Sequence, residues 1–238
     1  MRPEERHALS VALGKAALQL PLSFSLVVLE KLLDYLALLQ KWNATYNLTA
    51  VRDPAQMLTQ HLLDCMATLP AFARAQRVLD VGSGGGLPGI VIAIWAQQAA
   101  PAMQIHLIDT VHKKTAFLTQ VKAELGLHQV SVHTGRVEQL NANEKFDVIT
   151  SRAFADLADF VQWSAHLLAS NGEFIALKGQ AAADELEGLP AAWCVRRKTP
   201  IEVPGMNAQR HLVHIIRADE NDKEATDEKQ QAAGHRNA

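Results

Sequence analysis

The stretch RVLDVGSGGGLPGIVIAIWA, residues 77–96, decides how the rest of the chain is read. A short strand-like run meets five glycines within eight positions, and an apolar run of helical length follows. A backbone without Cβ atoms can turn tightly there and let a ligand lie against it at the N-terminus of the next helix. Gly82, Gly84 and Gly86 satisfy G-x-G-x-G, while Gly84, Gly86 and Gly89 satisfy G-x-G-x-x-G. Spacing alone therefore does not separate a dinucleotide site from another nucleoside site.

Working outward, short strands and helices alternate. Strands are expected at 77–81, 104–109, 130–133, 146–151 and 173–178, with helices at 87–98, 111–125 and 157–168. The order βαβαβ(α)βαβ calls for a parallel sheet with helices on both faces. Two further strand-like runs, WCVRRKTPIEV and QRHLVHIIRA, flank a loop with Pro204 and Gly205, so the chain is expected to close on an antiparallel hairpin. Before the sheet, Leu26, Leu29, Leu32, Leu33, Leu36 and Leu39 recur at helical spacing over 25–42. Asp53, Pro54 and Gln56 then form an N-cap, a first helical position and a capping-box residue for a helix running to Pro70. The organisation is an N-terminal helical cap (1–75), an α/β domain (76–218) and an acidic tail (219–238).

Composition narrows the class. With 48% hydrophobic and 20% charged residues, the 238-residue chain has a globular balance. Its two cysteines, Cys65 and Cys194, stand far apart and read as reduced thiols. No stretch has the length of a membrane span or a secretory leader, and a cytoplasmic protein is expected. The net charge of −2 is set by the last twenty residues, which hold six of the 25 acids and three of the 23 bases. The tail's composition is that of a disordered segment, and the nearly neutral body admits nucleic acid only through local basic patches or a larger ribonucleoprotein. No dedicated interface is evident, and a monomer is expected.

Three features favour S-adenosylmethionine over a dinucleotide in the glycine loop. Asp80, two residues before Gly82, would hold a cationic ligand end and repel a pyrophosphate. Pro88 suits the first position of the following helix better than a third dinucleotide glycine would. The closing hairpin reverses a sheet that the usual dinucleotide fold continues in parallel. Asp109, ending the second strand, suits ribose hydroxyls in either ligand class.

The blocks YNLTAVRDPAQMLTQHLLDC (46–65), DVGSGGGLPGI (80–90), GRVEQL (135–140), FDVITSRAF (146–154), ALKGQ (176–180) and QRHLVHI (209–215) together resemble the glucose-inhibited division protein B family. These are 16S ribosomal RNA guanine-N7 methyltransferases. The resemblance spans roughly residues 35–217, with departures at Ser83, Gly85, 106–110 and Cys65. It implies a class I S-adenosylmethionine-dependent methyltransferase fold, Rossmann-like, with S-adenosyl-L-methionine as cofactor and 16S rRNA, within the small subunit or an assembly intermediate, as partner. Carried over by position, it puts Gly82, Gly84 and Leu87 against the cofactor, Asp109 at the ribose, Val137 and Glu138 near the adenine, and Arg152 closing the site.

Guanine N7 carries a lone pair and no proton, so no general base and no catalytic side chain beyond positioning is expected. In A-form RNA this atom lies in a deep, narrow groove, so the base must come from a loop or be drawn from the stack. Candidate RNA contacts are Asn47, Arg52, His61, Arg136, Lys178 and Arg210. Plainer roles compete with some of these. His61 lies on an apolar helix and suits a buried hydrogen bond equally well, Lys113 and Lys114 suit a solvated face, and Arg196, Arg197 and Lys198 suit an exposed hairpin. His211 and His214 lack partners at zinc spacing, and no metal is expected. A methyltransferase of another RNA or a small molecule, a nicotinamide-dependent oxidoreductase, and a ribosome-binding module without activity remain as alternatives.

Overall fold

The computed structural model describes residues 1–152, 156–179 and 188–219. The expected acidic tail lies outside them beyond Asp219. The chain opens with α1 (Pro3–Ala17), an element that the leucine stripe at 25–42 did not reveal. Its Leu9, Leu13, Ala16 and Ala17 are buried at helical spacing, but two alanines and a charged first turn carry little of the pattern that marks a helix in sequence. α2 (Leu26–Tyr46) is capped by Ser25, whose hydroxyl accepts from the Val28 N–H, and ends at Asn47 in the left-handed region, φ 51°. Leu32, Leu33, Leu36 and Leu39 face the core, whereas Leu26 is exposed at the start of the stripe.

Asp53 accepts from the Gln56 N–H at 2.8 Å, with Pro54 first in α3 (Pro54–Met57), as the sequence predicts. The helix beyond is not uniform. It widens into a π-helical segment (Leu58–Leu63), tightens into α4 (Asp64–Met66), and ends in a 3₁₀ turn (Leu69–Phe72). A one-residue widening leaves composition and apolar pattern nearly unchanged, so periodicity does not reveal it.

The strands among the described residues are β1 (Arg77–Val81), β2 (Gln104–Asp109), β3 (Val130–Thr134), β4 (Phe146–Arg152), β5 (Leu168–Lys178), β6 (Trp193–Ile201) and β7 (Arg210–Arg217). They form one sheet in the order β3-β2-β1-β4-β5-β7-β6. The first five are parallel, and β7 runs antiparallel between β5 and β6, the expected closing hairpin. β5 starts at Leu168 rather than 173, and the helix bracketed between β3 and β4 is a single 3₁₀ turn, Val137–Gln139.

Alternation along the strands builds two layers. Val78, Ile105 and Leu107 pack towards the cap, α5 (Gly89–Ala99) and α6 (His112–Glu124), all within one continuous core. Leu79, Ile108 and Phe174 pack on the other side with Phe160 and Val161 of α7 (Leu157–Ser164). The cap packs on the helices that cover this face of the sheet: Tyr35 and Leu36 of α2 share a core with Ile90 and Ile94 of α5. Among the described residues no helix is long and apolar enough to cross a membrane.

Candidate functional site

The glycine loop leaves the C-terminal end of β1, where Gly82, Gly84 and Gly86 take φ values of 70°, 55° and 93°. Those angles favour glycine at every one of the three positions. Gly86 is also short of space, since a Cβ there would stand 2.5 Å from Ile90 Cγ1. Gly89 lacks a Cβ for a different reason: the following helix must press on β2, and a methyl would strike Leu107 and the Asp80 carboxylate. The loop closes on itself through the Gly86 N–H to the Ser83 carbonyl at 2.6 Å. From the cap, the buried Tyr35 hydroxyl donates to the Gly85 carbonyl at 2.5 Å, and burial pushes that phenol well above its ordinary range.

Two expectations about the loop are corrected. The helix begins at Gly89, so Pro88 stands before its first position rather than on it. Asp80 does not face a ligand. It is fully buried, its Oδ2 accepts from the Gly89 N–H at 3.0 Å, its Oδ1 has no hydrogen-bond partner among the described residues, and burial pushes its carboxyl up to about 7. Its side chain turns under the loop because the unpaired N–H at the start of α5 lies there.

The ends of β1, β2 and β3 frame an open crevice of about 620 Å³. Gly82 after β1, Asp109 at the end of β2, and Arg136, Val137 and Glu138 beyond β3 line it. Asp109 is buried, with Oδ1 accepting from the Val111 N–H at 2.9 Å and Oδ2 from the Gly84 N–H at 3.0 Å; Lys114 Nζ stands 3.4 Å away. A carboxylate so fixed retains a lone pair for a ligand hydroxyl, and the volume falls in the usual range for a small-molecule site. Donor set and space fit a nucleoside-bearing cofactor.

Of the residues expected at the cofactor, the structure brings Gly82, Asp109, Val137 and Glu138 together around the crevice, and Gly84 joins them through its N–H to Asp109. Leu87 is buried in the loop and Arg152 points elsewhere, so neither lines the crevice. Arg136, expected on the RNA side, does line it. Lys114, read from sequence as part of a solvated face, and Trp163, not singled out at all, both line the crevice. The lysine shares a helix with Asp109's capping turn, a signal that was available; an aromatic on a helix reads as core.

Arg152, expected to close the cofactor site, belongs to a second cluster where the cap meets the ends of β4 and β7. Its Nη1 donates to the Gln60 carbonyl at 2.9 Å and to Asp64 Oδ2 at 3.1 Å, while Arg210 Nε donates to Asp64 Oδ1 at 2.9 Å. Asp64 is buried, and both arginine side chains are about a quarter exposed. The π-helical widening lies directly before Asp64, and the carbonyl it presents is part of the cluster. His61 completes it. Burial, then the nearby Arg152 charge, lower its imidazole to about 4, so the ring is neutral at neutral pH. Arginine only donates, so Nδ1, 3.3 Å from Arg152 Nη2, accepts, and Nε2 carries the proton towards the Thr49 hydroxyl at 2.8 Å.

The remaining RNA candidates surround this cluster. Arg52 Nη2 donates to Asn47 Oδ1 at 2.7 Å on the same loop as Thr49, and Asn43 of α2 holds that loop through the Thr49 N–H and Val51 carbonyl. Lys178 ends β5 opposite His211, next to Arg210. A further cleft of about 610 Å³ between the β6–β7 loop and Gln19 also borders Arg210. Asp64 itself, which holds both arginines, was not expected: one acid on an apolar helix gives no sign of partners 88 and 146 residues later. Among the described residues no three His, Cys, Asp or Glu side chains could hold a metal ion.

Comparison with known proteins gives the family and the fold. Residues 28–213 match the family model described as GidB, rRNA small subunit methyltransferase G. The ribosomal RNA small subunit methyltransferase G of Herminiimonas arsenicoxydans is 64% identical over 217 residues, 91% of this chain and 100% of that protein. In fold, the chain is similar to a putative O-methyltransferase from Klebsiella pneumoniae (TM-score 0.54, 14% identity, 89% of this chain and 98% of that one). It is also similar to the neocarzinostatin-biosynthesis O-methyltransferase NcsB1, solved with S-adenosyl-L-homocysteine (TM-score 0.52, 16% identity, 69% and 55%). The chain belongs to the rRNA small subunit methyltransferase G family.

Proposed function

We propose that the β1–β2–β3 crevice holds S-adenosylmethionine and that the cluster around Asp64 receives the target guanine of 16S rRNA for methylation at N7. The family's activity is S-adenosylmethionine-dependent methylation of small-subunit ribosomal RNA; the residues and the accepting atom are the added reading. The observation that carries it is that the crevice lies at the carboxyl ends of β1, β2 and β3 while Arg152 of the cluster ends β4, the strand beside β1, at the edge where open α/β sheets bind ligands.

The cofactor supplies a methyl group on a positively charged sulfur. Guanine N7 offers an in-plane lone pair and no proton, so the chain has to orient rather than abstract. Asp109 would accept from the ribose hydroxyls, the Gly82 backbone would lie against the cofactor, and Val137 and Glu138 would bound its base. On the acceptor side, the two guanidiniums and one carboxylate leave a net charge of +1, suited to a phosphate or to guanine O6. Asp64 also offsets cationic charge beside a reaction that is itself cationic throughout. Arg152 therefore acts on the RNA side, with Arg210, Lys178, Asn47 and Arg52. His61, neutral and doubly bonded, fixes Arg152 rather than touching substrate.

A nearly neutral chain binds naked RNA weakly, since such affinity depends on many released counterions, so the substrate is the small subunit or an assembly intermediate, met in the cytoplasm by a monomer. Labelled S-adenosylmethionine, small subunits isolated without this enzyme, naked 16S rRNA and transfer RNA provide the test. Label recovered as 7-methylguanosine, in particles above naked RNA, is expected. Label in another nucleoside removes the N7 assignment, and label chiefly in naked RNA removes the particle.

A further inference from the structure

The cleft of about 610 Å³ between the β6–β7 loop and Gln19 has a lining of two kinds. Val203 is buried in the core, and Ile201 and Met206 pack against it, so the apolar part is fixed. Gln19, Asn207 and Gln209 bring amide side chains that are exposed. The formal charges of the lining, Glu202 and Arg210, cancel, so charge alone does not draw a phosphate in. Fixed apolar side chains beside amides suit a flat group with a polar edge: its face covers the apolar part, and its edge meets side chains that both donate and accept. A nucleobase has that chemistry, and a phosphate or an aliphatic chain does not.

Position in the fold says which base. Lys178, the last residue of β5, stands opposite His211 of the antiparallel β7, so the β6–β7 loop lies at the same carboxyl edge of the sheet as the Asp64 cluster. Arg210 belongs to both places: its Nε donates to Asp64 Oδ1 at 2.9 Å, and its Nη1 donates to the carbonyl of Gln209 in the cleft lining at 3.1 Å. A strand whose guanine is held at the cluster therefore has its next nucleotide within reach of the cleft. Drawing that guanine from its stack also bares a face of the adjoining base to water, and an apolar lining offsets the loss. We propose that the cleft receives the base next to the target guanine, so that the enzyme engages two neighbouring nucleotides of one RNA strand. This rests on the reading that the Asp64 cluster receives the target guanine.

Ala208 is exposed and lines the cleft, so a benzophenone amino acid placed there in the full chain reports what enters. The variant is irradiated with small subunits isolated without this enzyme, in the presence of S-adenosylhomocysteine. The expected crosslink is to 16S rRNA, with reverse transcription stopping at a nucleotide that adjoins the guanine methylated by the wild type. A crosslink to a ribosomal protein or to RNA remote from that guanine overturns the proposal, as does none from a variant that still methylates. Should the bulky group itself stop methylation, Asn207→Ala combined with Gln209→Ala decides. That double variant should raise KM for small subunits about 10-fold, the loss of two neutral hydrogen bonds. Its affinity for S-adenosylhomocysteine and its melting temperature should match the wild type. A wild-type KM in the double variant overturns the cleft while leaving the guanine site in place. Absence of 7-methylguanosine from subunits treated with the wild type is a separate result, which removes the acceptor reading and this proposal with it.

Discussion

Two carboxylates organise the carboxyl edge of this sheet, and they do so in opposite ways. Asp109 is held by backbone N–H groups of Gly84 and Val111, at the mouth of an open crevice. Asp64 is held by two guanidiniums and walled in by the cap. Two backbone N–H groups and a lysine 3.4 Å away leave the first carboxylate a spare lone pair that a neutral polyol can take without displacing anything. In the second, the charge is already spent, and it is the arginines that retain unused N–H groups for an anion. One edge thus carries an acceptor site and a donor site, which is the division that a nucleoside cofactor and a polyanionic substrate require.

The largest effect expected from breaking this division is at Asp64. Asp64→Ala leaves two partly buried guanidiniums without their shared partner and should cost about 3 kcal/mol of stability. For a chain of this size that corresponds to a melting temperature lower by roughly 6 to 12 °C. Affinity for S-adenosylhomocysteine, measured by calorimetry well below the transition, should stay within about 2-fold. A parallel loss of cofactor affinity would mean that the two sites are one.

Asp109→Ala tests the other half. Losing a carboxylate that accepts from the loop and, on the proposed reading, from the ribose should weaken S-adenosylhomocysteine about 100-fold, in line with charged hydrogen bonds worth about 1.5–3 kcal/mol. The fold should lose less, about 1–2 kcal/mol in chemical denaturation, since what is released is the Gly84 and Val111 N–H groups and the partly exposed Lys114. Unchanged affinity in the folded variant removes Asp109 from the site.

Tyr35→Phe examines how far the cap participates in the crevice. The variant keeps the ring and leaves the buried Gly85 carbonyl without its donor, a loss of about 1 to 2 kcal/mol. Because the adjacent residue, Gly84, binds Asp109, part of that loss should appear as a cofactor affinity lower by several-fold in calorimetry. A stability loss with no affinity change would confine Tyr35 to the core.

The contrast between the two sites also explains what could be read before the fold was known. The crevice is built from local sequence: strand, glycine loop, the aspartate that ends the next strand, and the turn after β3 are each contiguous stretches with fixed offsets. The Asp53 cap and the closing hairpin were legible for the same reason. The ion-pair cluster joins residues from three distant segments, and nothing local to Asp64 distinguishes it from an acid on a solvated face. The π-helical turn that sets it up leaves no periodic trace, and Asp80 misled because a strand-end acid reads as facing outward whichever way its side chain turns. Trp163 was hidden by its own chemistry, since a tryptophan on an amphipathic helix is ordinarily core.

The smallest effect, and the sharpest discrimination, is expected at Arg52. The residue is exposed and bonds Asn47 on a loop that Asn43, Thr49 and His61 hold independently, so Arg52→Ala should leave the melting temperature unchanged. Cofactor affinity should be unchanged as well, because no crevice residue depends on it. If the guanidinium neutralises one phosphate, affinity for the ribosomal particle falls only a few-fold at moderate salt. The slope of log affinity against log salt, however, becomes shallower by about 0.7 to 0.9, the counterion released per phosphate contact. A purely capping role for the Asn47–Arg52 pair would leave that slope where it was. The acceptor surface would then end at the Asp64 cluster instead of continuing along the cap.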